Sequence, residues 1–104
     1  MFESRYHEGR RRMSSWIAQL MRLERSGQTF RTSAAYGSGP RLFGGLIAAQ
    51  ALAAAGATVD PDRSPQSLHG YFIRGGRIGV DIEFAVELTR DGRSFTNRRV
   101  TASQ

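Results

Sequence analysis

The sequence predicts a small α+β domain in which one apolar helix is enclosed by an antiparallel sheet. Two observations carry this prediction. Residues 42–59 contain no charged side chain, and a helix without a charged face is expected to be buried on most sides. Residues 80–89 alternate between apolar and polar side chains, the pattern of a strand with one buried face. A chain of 104 residues has room for one domain, so the helix and the sheet should share one core.

The composition excludes several classes of function. The chain has no cysteine, and its two histidines, His7 and His69, are far apart in the sequence, which excludes a disulfide scaffold, a cysteine nucleophile and a zinc finger. The formal net charge is +6 and every cationic residue is arginine. Most of the excess lies in residues 1–31, chiefly in the run Arg10-Arg11-Arg12. We predict residues 1–13 to be a flexible basic extension before a domain at residues 14–104. No aromatic residues interleave the run Arg10-Arg11-Arg12, so a nucleic-acid partner is not expected.

The uncharged segment is too short to cross a membrane. Gly44, Gly45 and Gly56 limit the usable helix to about 11 residues, or about 17 Å, whereas a spanning helix needs about 20 residues. Residues 1–12 have no apolar core, so we expect no signal peptide and a cytoplasmic location.

The first half of the chain is predicted to contain a short helix, a short strand and the central helix. Ser14 and Ser15 can cap a helix at residues 16–24, which Ser26 and Gly27 would end. The segments that follow, in chain order, are a strand at residues 28–32, a loop at residues 34–41 and the uncharged helix at residues 45–55, with Gly56 as its C-terminal stop.

The second half is predicted to consist of strands. After a loop at residues 60–65, residues 67–73 and 80–89 alternate with a period of two, which predicts two strands. Asp91-Gly92 is typical of a two-residue hairpin turn. With so few strands, the predicted sheet has two free edges and does not enclose the helix. We therefore expect another segment or another chain to complete it.

The two-residue turn also predicts the register of the last strand. It places Arg98 opposite Ala85, on the polar face of the sheet. The same register places Asn97 and Arg99 on the apolar face. Two alternatives follow: either a bulge interrupts the hairpin, or these polar side chains reach a ligand or partner at the end of the sheet.

Four motifs, in order and spacing, resemble the first half of the acyl-CoA thioesterase II family, a double-hotdog family. They are RLFGG at residues 41–45, QAL at 50–52, SLHGYFIR at 67–74, and RDGRSF at 90–95 followed by RRV at 98–100. The resemblance extends from about Leu20 to Gln104 and implies a hotdog fold, in which a sheet wraps a central helix. It also implies hydrolysis of fatty acyl-CoA to free fatty acid and CoA, a step of lipid metabolism that needs no cofactor.

The chain departs from the family pattern at several positions. Leu46 stands where the family has Gln, Gln66 where it often has His, and Gly75 where it usually has Pro. The family's catalytic residues lie in the second repeat, so no residue here is assigned as catalytic and the chain alone is expected to be inactive. The resemblance implies a second hotdog repeat, or an identical subunit, as partner. The alternative function is a non-catalytic hotdog module for acyl-ligand binding or dimerisation.

Thioester hydrolysis needs a water, a base and donors for the developing oxyanion, and acyl-CoA also carries phosphates. Eight residues are candidates to bind this substrate, and none is a candidate metal ligand: Phe43, Gly44, Gly45, Gln66, His69, Tyr71, Arg93 and Arg99.

Each role has a structural alternative. The backbone N–H groups of Gly44 and Gly45, at a helix N-terminus, can donate to an oxyanion, or the glycines can simply allow close packing. His69 shares a strand face with Tyr71 and can approach the substrate channel, or it can be a hydrogen-bonded structural residue. Gln66 can orient a water, or it can be structural where its strand begins. Arg93 and Arg99 can meet the phosphates of CoA, or they can be solvated surface residues.

Overall fold

The structure is a computed structural model and describes residues 21–32 and 44–104. Two short strands, β1 (Glu24–Ser26) and β2 (Thr29–Arg31), precede helix α1 (Gly44–Gly56); two longer strands, β3 (Glu83–Asp91) and β4 (Thr96–Ser103), follow it. All four strands form one antiparallel sheet in the order β1-β2-β3-β4. The helix therefore lies in the connection between two neighbouring strands, as expected for a sheet that wraps a central helix.

The core lies between one face of the sheet and α1. Phe84 of β3 is fully buried, and Phe30, its direct neighbour on β2, is 3% exposed. Ile82 and Val86 share this face because side chains alternate along a strand, and Ala54 covers them from the helix. The central apolar positions of the alternating series thus form the inner face of the sheet, whereas Val80 and Leu88 at its two ends are exposed.

Helix α1 occupies the predicted position and extends one residue further at each end. Gln50 and Ala54 are buried and lie four residues apart, on the face that meets the sheet. The helix ends in a tight turn, in which the N–H groups of Thr58 and Val59 donate to Ala55 and Gly56. Helix α1 ends at Gly56, as predicted. Gly56 is not among the described glycines with positive φ, so the helix ends there without a left-handed residue.

The predicted helix at residues 16–24 is wrong at its C-terminal end. Glu24 begins β1, which pairs with β2 through Arg25 opposite Phe30. Gly27, with a φ of 62°, forms the turn between the two strands, a conformation that favours glycine. Pairing with β2 supplies hydrogen bonds that a short isolated helix lacks. The strand predicted at residues 28–32 is confirmed as β2.

Several other predicted segments lie outside the described residues. They are the basic extension at residues 1–13, residues 16–20 of the first helix, and the loop at residues 34–41. Within the described residues, no helix is long and apolar enough to cross a membrane.

The strand predicted at residues 67–73 is not formed. This segment has no regular secondary structure, and its apolar side chains Leu68, Phe72 and Ile73 are exposed. A strand is defined by hydrogen bonds to a neighbour, and none of the four described strands lies beside this segment in the sheet. Alternation in the sequence identifies the segment's conformational preference but does not supply its partner.

The hairpin between β3 and β4 differs from the predicted one in its turn and its register. Asp91 lies opposite Thr96, so the loop has four residues, 92–95, and Arg98 is not opposite Ala85. A β-carbon on Gly92 would lie 2.8 Å from the Phe95 carbonyl oxygen, which accepts a hydrogen bond from the Gly92 N–H. Glycine is required here for this close approach; its φ is not positive, as a type I′ turn would demand.

A bulge accounts for the polar residues that the predicted register placed on the apolar face. Glu87 pairs with Arg99 and Arg90 with Asn97, and the register shifts between these two pairs. Two residues of β3 therefore lie opposite Arg98, which is a bulge. The first of the two alternatives is confirmed. Consequently Arg98 faces the helix, and Arg99 faces away from it.

Candidate functional site

The predicted site residues lie near the two ends of α1. Gly44 and Gly45 begin the helix, and the exposed segment that carries His69 and Tyr71 reaches this end through Phe72. The hairpin loop with Arg93 lies near the other end, where Arg98 binds Thr58. A helix of 13 residues is about 20 Å long. A ligand that contacts both groups must therefore be extended.

The N-terminal end of α1 combines backbone donors that have no acceptor within the helix with an aromatic contact. The first turn has no acidic side chain, and the first N–H groups of a helix have no intrahelical acceptor. A β-carbon on Gly44 would lie 3.3 Å from two ring carbons of Phe72, so the ring packs directly on this glycine. The geometry supports both interpretations of Gly44, as an anion-binding donor and as a packing residue. Phe43 lies outside the described residues.

His69 and Tyr71 are adjacent but not enclosed. Their ring centroids are 5.0 Å apart and the ring planes meet at 51°. Both are exposed, Tyr71 at 84%. Gln66 is exposed as well. Within the described part of the chain, these three side chains line an open surface and no closed channel.

No described carboxylate hydrogen-bonds to the first turn of α1. Asp60 and Asp62 follow the other end of the helix, where the Asp60 side chain accepts from the Asp62 N–H. Asp91 binds Arg98. Glu83 and Arg31 form an ion pair with a 3.7 Å separation on the outer face of the sheet. A general base for a ligand held at Gly44 is not evident in residues 21–32 and 44–104.

Asp81 is the carboxylate whose environment the sequence pattern did not predict. It was expected on the exposed polar face but is half-buried, and its Oδ1 has no hydrogen-bond partner. It lines an open depression of about 500 Å³ together with Arg31, Glu83 and Gln104. Across the described residues, no three side chains among His, Asp and Glu converge as metal ligands would. The depression therefore lacks the ligand set of a metal centre.

Arg98 holds the hairpin to the C-terminal end of α1. Its side chain is 6% exposed, and all five N–H groups of the guanidinium have acceptors. Nε and Nη2 donate to the hydroxyl and carbonyl oxygens of Thr58, and Nη2 also donates to Asp91 at 2.7 Å. Nη1 donates to the carbonyls of Arg90 and Asn97. Arg98 is thus a structural residue with no donor left for a ligand.

Arg63 also fixes the hairpin loop. Its Nη2 donates to the carbonyls of Gly92 and Arg93, both at 2.8 Å, and its Nη1 donates to the Thr96 hydroxyl at 2.7 Å. The forked geometry of a guanidinium suits such multiple acceptors, and an ammonium group does not reproduce it. The loop is therefore held rigidly, although it lies at the surface.

The remaining arginines of the hairpin are exposed. Arg93 lies in the loop, and Arg99 lies opposite Glu87 on the face directed away from α1. Neither side chain makes a hydrogen bond or ion pair with another described residue. Of these two candidates, the structure places Arg93 at the helix end and Arg99 on the outer face of the sheet.

Two edge strands supply the positive charge that the end of α1 lacks. The last helical turn has no basic residue, yet Arg25 of β1 donates to the Ala57 carbonyl and Arg98 of β4 to that of Thr58. Cations stabilise a helix C-terminus by interaction with the helix dipole. Sequence reasoning missed Arg25 and Arg63, because their acceptors are far away in the chain and no local pattern identifies them.

Comparison with known proteins identifies the relatives of this fold. The family model for the acyl-CoA thioesterase N-terminal domain matches residues 32–104. Acyl-coenzyme A thioesterase 8 of Rattus norvegicus is 50% identical over 64 residues, which are 62% of this chain and 20% of that protein. Peroxisomal acyl-coenzyme A thioester hydrolase 1 of Saccharomyces cerevisiae is 42% identical over 62 residues, 60% of this chain and 18% of that protein.

A solved structure agrees with these matches. The crystal structure of acyl-CoA thioesterase II TesB2 from Mycobacterium marinum has a TM-score of 0.75 and 43% identity, and the alignment covers 85% of this chain and 32% of that one. The expected hotdog fold is confirmed, with one helix and four antiparallel strands in the part of the chain that the structure describes. The chain spans about a fifth of the length of the curated relatives that it matches.

Proposed function

The chain belongs to the acyl-CoA thioesterase N-terminal domain family, and from this premise we propose that it supplies the first hotdog half of an acyl-CoA hydrolase. The complete enzyme would convert fatty acyl-CoA to free fatty acid and CoA. The observation that carries the proposal is the family match over residues 32–104. The free first turn of α1 supports it, because an oxyanion needs donors that are already oriented.

In the proposed mechanism, this chain binds and orients the substrate, and the second half supplies the base. The N–H groups of Gly44 and Gly45 would hold the oxyanion that forms when water attacks the thioester carbonyl. The exposed rings of His69 and Tyr71 would border the acyl chain, with Phe43 and Gln66 nearby. Arg93 would meet phosphates at the far end of the helix, and Arg99 remains a proposed contact from the outer face.

The proposed function is tested by a thiol-release assay with fatty acyl-CoA on the longest product of the gene that contains this chain. We expect turnover that requires the segment outside residues 1–104. Binding of acyl-CoA without release of thiol would favour the alternative, a non-catalytic module for acyl ligands or for dimerisation. If the protein neither binds acyl-CoA nor releases thiol, both functions are contradicted.

A partner is proposed from the uncovered apolar residues of the segment 67–73. Tyr71 and Ile73 are 84% and 89% exposed, which is unusual for side chains of this size. A second hotdog repeat or a second copy of the chain would cover them. We expect light scattering at micromolar concentration to show a mass above that of the monomer, and the double variant Tyr71→Ser, Ile73→Ser to lower it. A stable wild-type monomer would contradict this proposal.

A Gly44→Val substitution separates the two roles of Gly44. The new side chain displaces the Phe72 ring, which is 65% exposed and free to move, so stability should fall by no more than about 1 kcal/mol. Turnover of the complete enzyme should fall about tenfold or more, because the new side chain stands beside the N–H groups of the first turn and keeps the thioester carbonyl away from them. Gly56→Ala, where a β-carbon meets nothing within 4 Å, is the control and should change neither quantity greatly. Unchanged turnover in Gly44→Val would remove Gly44 from the oxyanion site.

The domain boundaries and the compartment also remain proposals. Limited proteolysis should remove residues 1–13 before it cuts residues 14–104, as expected for a flexible extension. We propose a cytoplasmic location, and imaging of the tagged gene product tests it. The yeast relative is named as peroxisomal, so a peroxisomal signal is the result that would overturn this proposal.

A further inference from the structure

The β3–β4 hairpin loop presents an aromatic ring and two guanidinium groups on a rigid frame. Phe95 is 74% exposed. Arg93 lies in the same loop, and the Arg90 side chain folds over it, with Nε 3.3 Å from the position of a β-carbon on Gly92. The Arg90 and Arg93 side chains have no hydrogen-bond or ion-pair partner among the described residues.

The frame itself is tightly held, which distinguishes this loop from an ordinary exposed turn. Arg63 binds the carbonyls of Gly92 and Arg93. Arg98 binds the Arg90 carbonyl and Asp91. Two internal arginines therefore fix the backbone, and two others are left free at the surface. Because the loop backbone is already held, ligand binding would order only the side chains and would lose little backbone freedom.

We propose that this loop binds the adenosine bisphosphate end of the coenzyme, with adenine stacked on Phe95 and phosphate groups on Arg90 and Arg93. The proposal rests on the acyl-CoA function and specifies which end of that substrate lies at the hairpin. Aromatic rings stack on bases, and arginine binds phosphate through paired hydrogen bonds. The thioester would then lie near the other end of α1, about 20 Å away, a separation that the extended pantetheine arm can span. Arg63 is a positioning residue, since it acts through the loop backbone.

Two probes separate this proposal from the function on which it rests. Adenosine 3′,5′-bisphosphate contains the nucleotide without the thioester, and an S-acylpantetheine contains the thioester without the nucleotide. Titration of the chain with each, followed by calorimetry, should show binding of both. Binding of the acylpantetheine without the bisphosphate would overturn the loop proposal and leave the acyl-CoA function standing. Binding of the bisphosphate alone would support a nucleotide site at the loop and contradict the binding of the thioester by this chain, and binding of neither would overturn both.

Variants then assign the binding to the loop. Phe95→Ala and Arg93→Ala should each weaken bisphosphate binding about tenfold and leave acylpantetheine binding unchanged. Phe95→Tyr keeps a stacking ring and should bind as the wild type does, and Arg22→Ala controls for loss of one exposed charge. Arg63→Lys should weaken bisphosphate binding while the circular dichroism spectrum stays the same. Equal bisphosphate affinity in the wild type, Phe95→Ala and Arg93→Ala would overturn the proposal.

Discussion

Purified alone, the chain should hydrolyse fatty acyl-CoA at least about 100-fold more slowly than a complete relative, because general-base catalysis typically contributes 10²–10⁴-fold. No described carboxylate hydrogen-bonds to the first turn of α1, and the described part of that turn contains no acidic residue. Under the proposed function the chain would orient a thioester there, but no residue that the structure describes is placed to take the proton from water.

The measurement is thiol release by the purified chain, with the full-length Mycobacterium marinum relative as reference. Expression in a host strain whose own thioesterase genes are deleted excludes background activity. A rate within about tenfold of the reference would require a base within this chain. His69 and Asp81 would then be the first residues to replace, His69 because it lies three residues before Phe72, and Asp81 because its Oδ1 is buried without a partner.

Arg98→Ala should lower the free energy of unfolding by about 3 kcal/mol, since it removes a buried side chain and leaves the half-buried oxygens of Thr58 without these donors. The ion pair with Asp91 contributes little to this loss, because the Asp91 side chain is 61% exposed and water screens the pair. Most of the loss comes from Thr58, whose carbonyl and hydroxyl oxygens both accept from Arg98. In a domain of this size the melting temperature should fall by more than about 10 °C.

Arg99→Ala is the matched control, because it removes the neighbouring arginine from the exposed face of the same strand. Its effect on the free energy of unfolding should be within about 0.5 kcal/mol. Denaturant unfolding of both variants and the wild type gives the comparison. The register predicted from sequence alone placed Arg98 on the polar face and Arg99 on the apolar one. A larger loss in Arg99→Ala would therefore support that register against the structure.

The sequence determined the secondary structure where a pattern is long and regular. The uncharged helix and the strand now seen as β3 were both predicted within a few residues. Their periodicities reflect one buried face, and that face is a property of the segment itself. The position of the candidate site at the helix start could also be predicted, since Gly44 and Gly45 are adjacent in the sequence and begin the helix.

Short segments could not be decided in this way. Glu24 belongs to β1 because β2 lies beside it. Residues 67–73 form no strand because none of the described strands pairs with them. Both segments have a local preference that their surroundings override or fail to support. A strand needs a partner, and the residues of one strand do not identify the strand with which it pairs.

The hairpin shows the same division between sequence and tertiary structure. The sequence determined that a turn follows β3 and that Gly92 lies in it, because few other residues permit so tight a turn. Only the tertiary structure decided the register and hence which arginine faces the helix. Arg98 faces inward because a bulge shifts the register and because Thr58, 40 positions earlier, supplies its acceptors. A contact between residues so far apart in the sequence depends on how the whole sheet packs on the helix, and no local pattern of residues predicts it.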